Sequence, residues 1–444
     1  MQLPADFAST MRLLLGDEGF GAFASALDDE PPVSIRLNPL KVPMLGDEYA
    51  ERLRRRLGDA VPWCEGGYYL PRRPQFTFDP LLHAGVYYVQ EASSMFLDWL
   101  LRRLLPELSE KKSGEPLSML DLCAAPGGKS TVARAALPEG SLLVSNEPMR
   151  TRAQILSENM LKWGHPDVVV TNNYPNDYRR AGMRFDIVLC DVPCSGEGMF
   201  RKDSQAVAEW SRQNVEQCWR LQRQIVADAW ECLADGGLLI YSTCTFNTEE
   251  NEQNIGWCQQ ELGAEVVGVD VDASWGITSS LLPGFCQPVY RFLPGRTRGE
   301  GLFMAVMRKP AGDASADSCD ALRRKVRKRL RVLSDGPKPP QKKGKDLLPD
   351  VSEALQASGK TAADKSAGSV WPRCELTWEQ AVAYLRKETL VLPPDVPRGI
   401  VMVTFWNVAL GFVKNVGNRA NNLYPQEWKI KSTHIPNNYD ETIS

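Results

Sequence analysis

Leu117-Ser118-Met119-Leu120-Asp121-Leu122-Cys123-Ala124-Ala125-Pro126-Gly127-Gly128-Lys129-Ser130 is the stretch on which the fold turns. An apolar run of strand length, Leu117 to Ala124, breaks at a proline and two glycines and leads into a helical pattern. Strand, tight turn and helix in that order open a parallel α/β sheet, and ligands bind such sheets beyond the carboxyl ends of the strands. Glycines there let a ligand approach the backbone, and the helix N-terminus offers free N–H groups. The loop is neither Gly-x-Gly-x-x-Gly nor a Walker loop, which disfavours a dinucleotide or a nucleoside triphosphate. Glu147 stands nineteen residues after Gly128, at the end of the next apolar run. A carboxylate there can accept both ribose hydroxyls of an adenosine-bearing cofactor. Ribose without pyrophosphate fits S-adenosylmethionine.

Outward from this stretch, further short apolar runs occur at Leu142 to Glu147, Val168 to Asn172, Phe185 to Asp191, Leu238 to Thr243, Glu265 to Val271 and Leu302 to Met307. Segments long enough for crossover helices, Met149 to Gly164 and Ala206 to Leu233, lie between them. The rhythm predicts a doubly wound, seven-stranded, Rossmann-like α/β domain over residues 101–310. Residues 1–100 read as a small α+β unit. Residues 311–370 carry 13 basic and 8 acidic side chains, with a dense run from Arg323 to Arg331. They read as a basic linker, partly helical and partly mobile. Apolar content returns after Trp371, and Gly399 to Val403 and Leu410 to Val413 predict a small β-rich domain over 371–444.

The 444 residues suit two or three domains, and 43% hydrophobic with 24% charged residues excludes a disordered or fibrous chain. No apolar run approaches the roughly 18 to 20 residues that span a bilayer. Met1 to Asp6 lacks the basic and apolar segments of a signal peptide, and eleven cysteines suit reduced thiols in the cytoplasm. No Cys-x-x-Cys pair occurs and only three histidines are present, so no metal site is expected. A monomer is expected. The net charge of −3 averages an acidic body and the basic segment, and so does not exclude a nucleic-acid partner.

Two cysteines stand apart from the rest. Asp191-Val192-Pro193-Cys194-Ser195-Gly196 follows one strand and Ser242-Thr243-Cys244-Thr245 the next, which puts both thiols at the glycine-loop edge of the sheet. Carbon 5 of cytosine is too weak a nucleophile to take a methyl group unaided. A thiolate added to carbon 6 makes it an enamine carbon that can, and a base must then remove the carbon-5 proton. Asp191 is placed to share a proton with ring nitrogen 3. Asn247 or Thr248 followed by Glu249-Glu250 predicts a capped helix start just beyond Cys244, whose dipole favours a thiolate while the glutamates oppose it.

These motifs closely resemble the Nop/Sun family of RNA (cytosine-5) methyltransferases, and within it the bacterial RsmF-type enzymes of small-subunit rRNA. The resemblance runs through Arg36-Leu37-Asn38-Pro39-Leu40-Lys41, Tyr88-Val89-Gln90-Glu91-Ala92-Ser93, the glycine loop, both cysteine motifs and Arg298-Gly299-Glu300-Gly301-Leu302-Phe303. It implies that Cys244 attacks the base, Cys194 assists product release and Asp191 holds the cytosine. It also implies that Cys123, Ala124, Ala125, Pro126, Gly127, Gly128 and Lys129, with Glu147 and Asp191, bind S-adenosylmethionine. The family's carboxylate at the end of strand three is replaced by Asn172-Asn173-Tyr174, which leaves Asn173 as the expected adenine contact. The C-terminal segment is similar to the family's PUA-like domain, with Lys414, Arg419 and Tyr424 as expected RNA contacts. Arg36 and Lys41 lie in a segment similar to its RNA-docking module. Tyr87, Tyr88, Trp210 and Trp219 are expected in the core. The expected partner is RNA, small-subunit rRNA or the 30S subunit. A tRNA substrate and a non-catalytic ribosome assembly factor are the alternatives.

Overall fold

The computed structural model describes residues 1–343, 346–356, 371–436 and 441–444. The N-terminal unit has one long helix, α1 (Ala5–Ala26), kinked at Gly16, and an antiparallel sheet of β1 (Ser34–Leu37), β2 (Gly67–Tyr69) and β3 (Tyr87–Val89) in the order β2-β1-β3.

The central sheet contains all seven expected runs. They are β4 (Ser118–Asp121), β5 (Leu142–Asn146), β6 (Val168–Thr171), β7 (Phe185–Asp191), β8 (Leu233–Thr243), β9 (Glu265–Val267) and, after β10 (Tyr290–Phe292), β11 (Leu302–Arg308). With β12 (Val332–Asp335) the order is β10-β11-β8-β7-β4-β5-β6-β12, and β9 also pairs with β11. Strands β4 to β8 are mutually parallel and the others antiparallel. Met119, Leu120, Ile187, Val188, Leu239 and Ile240 are wholly buried from both faces, which is why these strands read as continuous apolar runs. Helix α2 (Phe96–Lys111), which leads into β4, and the crossover helices α3 (Gly128–Ala136), α4 (Arg150–Trp163), α5 (Arg212–Glu231) and α6 (Glu252–Leu262) cover the two faces. From β4 the chain winds one way to β5 and β6, then returns on the other side of β4 to β7 and β8. The switch point lies above β4 and β7.

The segment expected as a linker completes this sheet over much of its length. Helix α7 (Cys319–Arg329) buries Leu322 and Val326 in the sheet's core, and β12 pairs with β6. Arg323 and Arg327 pair with Asp335, and Lys325 with Asp317. Two apolar residues four apart anchor a helix whose other faces are charged, and basic composition masked them. The hairpin of β13 (Gln341–Lys343) and β14 (Asp346–Leu348) follows. The rest of the expected linker, 357–370, lies outside the described residues.

The C-terminal unit has the strand order β15 (Arg373–Glu375), β16 (Gly399–Phe405), β17 (Val408–Asn415) and β18 (Ala420–Asn422), with helix α8 (Trp378–Leu385). Its core is continuous with that of the N-terminal unit: Ile35, Leu45 and Tyr87 belong to one cluster with Leu385, Phe405 and Trp406. Buried Asp79 accepts hydrogen bonds from Tyr87 and from the backbone N–H groups of Ile443 and Ser444.

Three expected RNA contacts are in fact core residues. Arg36 is buried, donates to Gln90 Oε1 (3.1 Å) and Thr131 Oγ1 (2.6 Å), and lies 4.5 Å over the Trp163 ring, joining β1 to α3 and α4. Lys41 is buried, its Nζ donating to the carbonyls of Ala84 (2.5 Å) and Lys162 (2.6 Å). Tyr424 is buried against Tyr384 and Trp428. Each is enclosed by elements remote in sequence. Lys414 is half-buried and Arg419 exposed. Tyr87 lies in the core as expected, whereas Tyr88, Trp210 and Trp219 are half-buried.

Arg36→Ala should cost about 2–4 kcal/mol in chemical unfolding, because Gln90 and Thr131 lose a charged donor inside the protein. Burial pushes the Lys41 amine from 10.5 down to about 7. Between those values the unfolded chain holds a proton that the folded chain has released, so stability rises with pH. Urea midpoints should climb between about pH 7 and pH 10 more steeply for the parent than for Lys41→Met.

Candidate active site

Parallel pairing of β7 with β8 sets Asp191 opposite Ser242, so the segments leaving both strands emerge together. Three residues beyond Asp191 and two beyond Ser242, the sulfurs of Cys194 and Cys244 stand 3.3 Å apart, half-buried. Asp191 closes the near side, its Oδ1 accepting from Ser242 Oγ (2.7 Å) and its Oδ2 facing Lys129 Nζ at 2.9 Å. Lys129 is the second residue of α3, just after the turn at Gly127, so one ion pair ties the glycine loop to Asp191 beside the thiols.

The two thiols are not equivalent. The hydrogen bond from Cys194 holds Cys244 below the ordinary thiol range, helped by the Lys129 ammonium and opposed by burial, Asp191 and Glu250. The same hydrogen bond, with burial, pushes Cys194 well up. The contact thus favours the anion at Cys244 over Cys194. The expected helix N-terminus is not what favours the anion, since α6 starts only at Glu252 and residues 247–250 form a turn closed by Glu250 N–H to Asn247 Oδ1 (2.8 Å).

The glycine loop turns at Gly127, whose φ of 116° is open to glycine and strained for other residues. Glu147 is buried, with Oε1 accepting from Met149 N–H, while Oε2 has no hydrogen bond among the described residues and faces the Arg152 guanidinium at 3.4 Å. Asp121 Oδ1 is likewise buried and unpartnered, and Oδ2 accepts from Ser130 (2.6 Å). Burial, with Asp191 and Glu147 nearby, raises the Asp121 carboxyl to about 7. Buried acceptors rarely go without a hydrogen bond, so these oxygens are where a ligand's donors fit. Ribose hydroxyls suit Glu147, and a cationic sulfonium suits a pocket with three carboxylates. The residues present thus fit S-adenosylmethionine.

Asn173 does not fit the adenine role. Its side-chain oxygen accepts from Arg331 N–H (3.0 Å) and its amide donates to Arg331 O (3.2 Å), so both ends are spent on the approach to β12. Among the described residues no cluster of His, Cys, Asp and Glu could hold a metal ion, and no helix is long and apolar enough to cross a membrane.

Sequence reasoning missed a buried polar layer beneath the cysteines, formed by Glu197, Gln222, Asn247 and Glu250. Glu250 accepts from Ser195 N–H (3.0 Å), Gln222 (2.6 Å) and Asn247 (2.8 Å), and burial raises it to about 7. Gln222 had a signal, since it shares the buried stripe of α5 with Val215, Val226 and Ala229. A glutamine on such a stripe needs polar partners.

Comparison with known proteins agrees with this geometry. Family models match residues 108–308 (16S rRNA methyltransferase RsmB/F), 3–92 (N-terminal domain of 16S rRNA methyltransferase RsmF) and 372–430 (methyltransferase RsmF PUA domain). Ribosomal RNA small subunit methyltransferase F of Pectobacterium atrosepticum is 31% identical over 320 residues, 69% of this chain but only 63% of that protein. Its namesake in Aliivibrio salmonicida is 29% identical over 89% of this chain and 90% of its own. A solved methyltransferase homologue from Pyrococcus horikoshii superposes with a TM-score of 0.57 and 25% identity, over 68% of this chain and 94% of its own. NSun6 from the same organism shares the fold, with a TM-score of 0.56 and 20% identity over 70% of this chain and 99% of its own. With the N-terminal, methyltransferase and PUA modules matched in order along its length, the chain belongs to the RsmF family.

Proposed function

We propose that this protein methylates carbon 5 of a cytosine in small-subunit rRNA through a covalent bond between Cys244 and the base. The observation that carries this reading is the pair of thiols 3.3 Å apart, one favoured as thiolate and the other as its donor, beside Asp191. A methyl transfer to oxygen or nitrogen has no use for such a pair. The rRNA substrate is supported by the names of the relatives and by the flanking N-terminal and PUA modules.

S-adenosylmethionine, bound by the 123–129 loop with Glu147 and Asp121, supplies an electrophilic methyl group. Cys244 adds its sulfur to carbon 6, and the displaced electron pair makes carbon 5 nucleophilic. Asp191, held by Ser242 and Lys129, shares a proton with ring nitrogen 3 and so steadies the charge on the ring. After methylation the carbon-5 proton leaves to a base, the carbon–sulfur bond breaks, and its electrons return to Cys244. Cys194, which now faces a thioether in place of a thiolate, assists this release. Extruding the target base from its stack costs a few kcal/mol, and contacts from the flanking modules offset it.

Incubation with labelled methyl donor and either 30S subunits or naked rRNA should yield 5-methylcytosine, and label at any other atom would refute the reading. Cys194→Ala should accumulate a covalent RNA adduct on denaturing gels while Cys244→Ala forms none. A Cys244→Ala variant that still methylates RNA would exclude the mechanism. Glu147→Gln should weaken S-adenosylmethionine binding in calorimetry by about tenfold or more, since it replaces an acceptor of ribose hydroxyls by a donor.

A further inference from the structure

Glu197 has no part in the chemistry above, yet its carboxylate touches both cysteine loops. It lies three residues beyond Cys194 and is buried. Its Oε2 accepts from the backbone N–H groups of Phe246 (2.7 Å) and Asn247 (2.9 Å), two and three residues beyond Cys244. Its Oε1 accepts from Trp210 Nε1 (3.0 Å) and Asn247 Nδ2 (3.1 Å). The next residue, Gly198, donates its N–H to Cys244 O at 2.8 Å. A Cβ on Gly198 would stand 2.7 Å from that same oxygen, so the two loops touch with no room for a side chain.

We infer that Glu197 is a positioning residue that clamps the Cys194 and Cys244 loops into one unit and so maintains the contact between their sulfurs. This inference rests on the reading of Cys244 as the nucleophile. Two loops leaving adjacent strands have no covalent reason to stay in register. All four acceptor contacts of this carboxylate come from N–H donors, three of them on the Cys244 loop. Ser195 links the loops from the opposite side, its N–H donating to Glu250 Oε2 (3.0 Å) and its Oγ lying 2.9 Å from Thr245 Oγ1, but it reaches neither Phe246 nor the Asn247 backbone. Trp210 extends the clamp outward, packing its ring on Phe7 of α1 at 5.7 Å, which ties the N-terminal helix to the nucleophile.

The variant Glu197→Gln is almost isosteric, but in either amide orientation it turns an NH2 toward two donors. The expected effect is on Cys244, whose charged and titratable neighbours are Cys194, Lys129, Asp191 and Glu250. Loss of a buried negative charge would by itself favour the thiolate. Loss of the Cys194 contact disfavours it, so the two effects have opposite signs. Iodoacetamide labelling of Cys244, followed by peptide mass spectrometry across pH 5–10, separates them.

A rise in the half-reaction pH, with labelling at pH 7 slowed by about tenfold, supports the clamp. S-adenosylmethionine affinity should stay within about twofold, because the clamp does not reach the glycine loop. An unchanged profile, or one moved downward, in a folded Glu197→Gln protein overturns the inference. If that variant fails to fold, Trp210→Phe removes a single donor and keeps a ring on Phe7; it should show a smaller rise, and no change would overturn the proposal. Labelling needs no RNA, so a failure of the parent to methylate RNA would count against the proposed function and leave this test intact.

Discussion

The register between β7 and β8 is the constraint on which the rest of the site depends. A slip of one residue in a parallel pair would send every side chain to the opposite face. Ser242 would then no longer meet Asp191, and the cysteines would leave their strands out of step. Burial of both faces of these strands specifies the register strongly, because any other pairing would expose or misplace Ile187, Leu189, Leu238 and Ile240. A core of ordinary apolar residues thus sets a sulfur–sulfur contact that neither cysteine could hold alone.

Around that contact the electrostatics are opposed by design of position. Asp121, Glu147 and Asp191 gather acceptor oxygens where a cationic ligand suits them, while Asp191 and Glu250 work against a thiolate at Cys244. Lys129 and the Cys194 donor counter it at Cys244 only. On the proposed reading the carboxylates attract one reactant while the hydrogen-bond donors prepare the other, and Asp191 takes part in both.

The modules flanking the sheet act as one body with it. Arg36 and Lys41 join the N-terminal sheet to α3 and α4, and the N-terminal and C-terminal units share a single apolar cluster closed by Asp79 and the chain's last residues. Basic side chains that composition offers to RNA are here consumed as internal donors to carbonyl oxygens and hydroxyls. The exposed face of α7, with Arg324, Lys328 and Arg329, keeps its charge in solvent.

Local patterning sufficed for much of this. Apolar runs alternating with helical spacing revealed every strand of the expected seven, most clearly β4 to β8, whose burial on both faces demands apolar residues. The turn chemistry of Pro126-Gly127-Gly128 located the loop at the sheet's switch point, and two cysteines at consecutive strand ends located the pair of thiols. Legibility failed where a residue's surroundings come from far along the chain. Arg36 reads as a surface cation until Thr131 and Trp163 close over it, and Asn173 reads as a ligand contact until Arg331 arrives to occupy its amide. Asn247 to Glu250 reads as a helix cap, because a polar cluster before a helix has the same pattern whether it faces water or a buried carboxylate. By itself, then, the sequence determined the sheet, the loop and the pair of thiols, which depend on neighbours close in the chain. Only the tertiary structure decided which thiol is the one favoured as an anion and which polar residues are buried, because both depend on partners that distance in sequence hides.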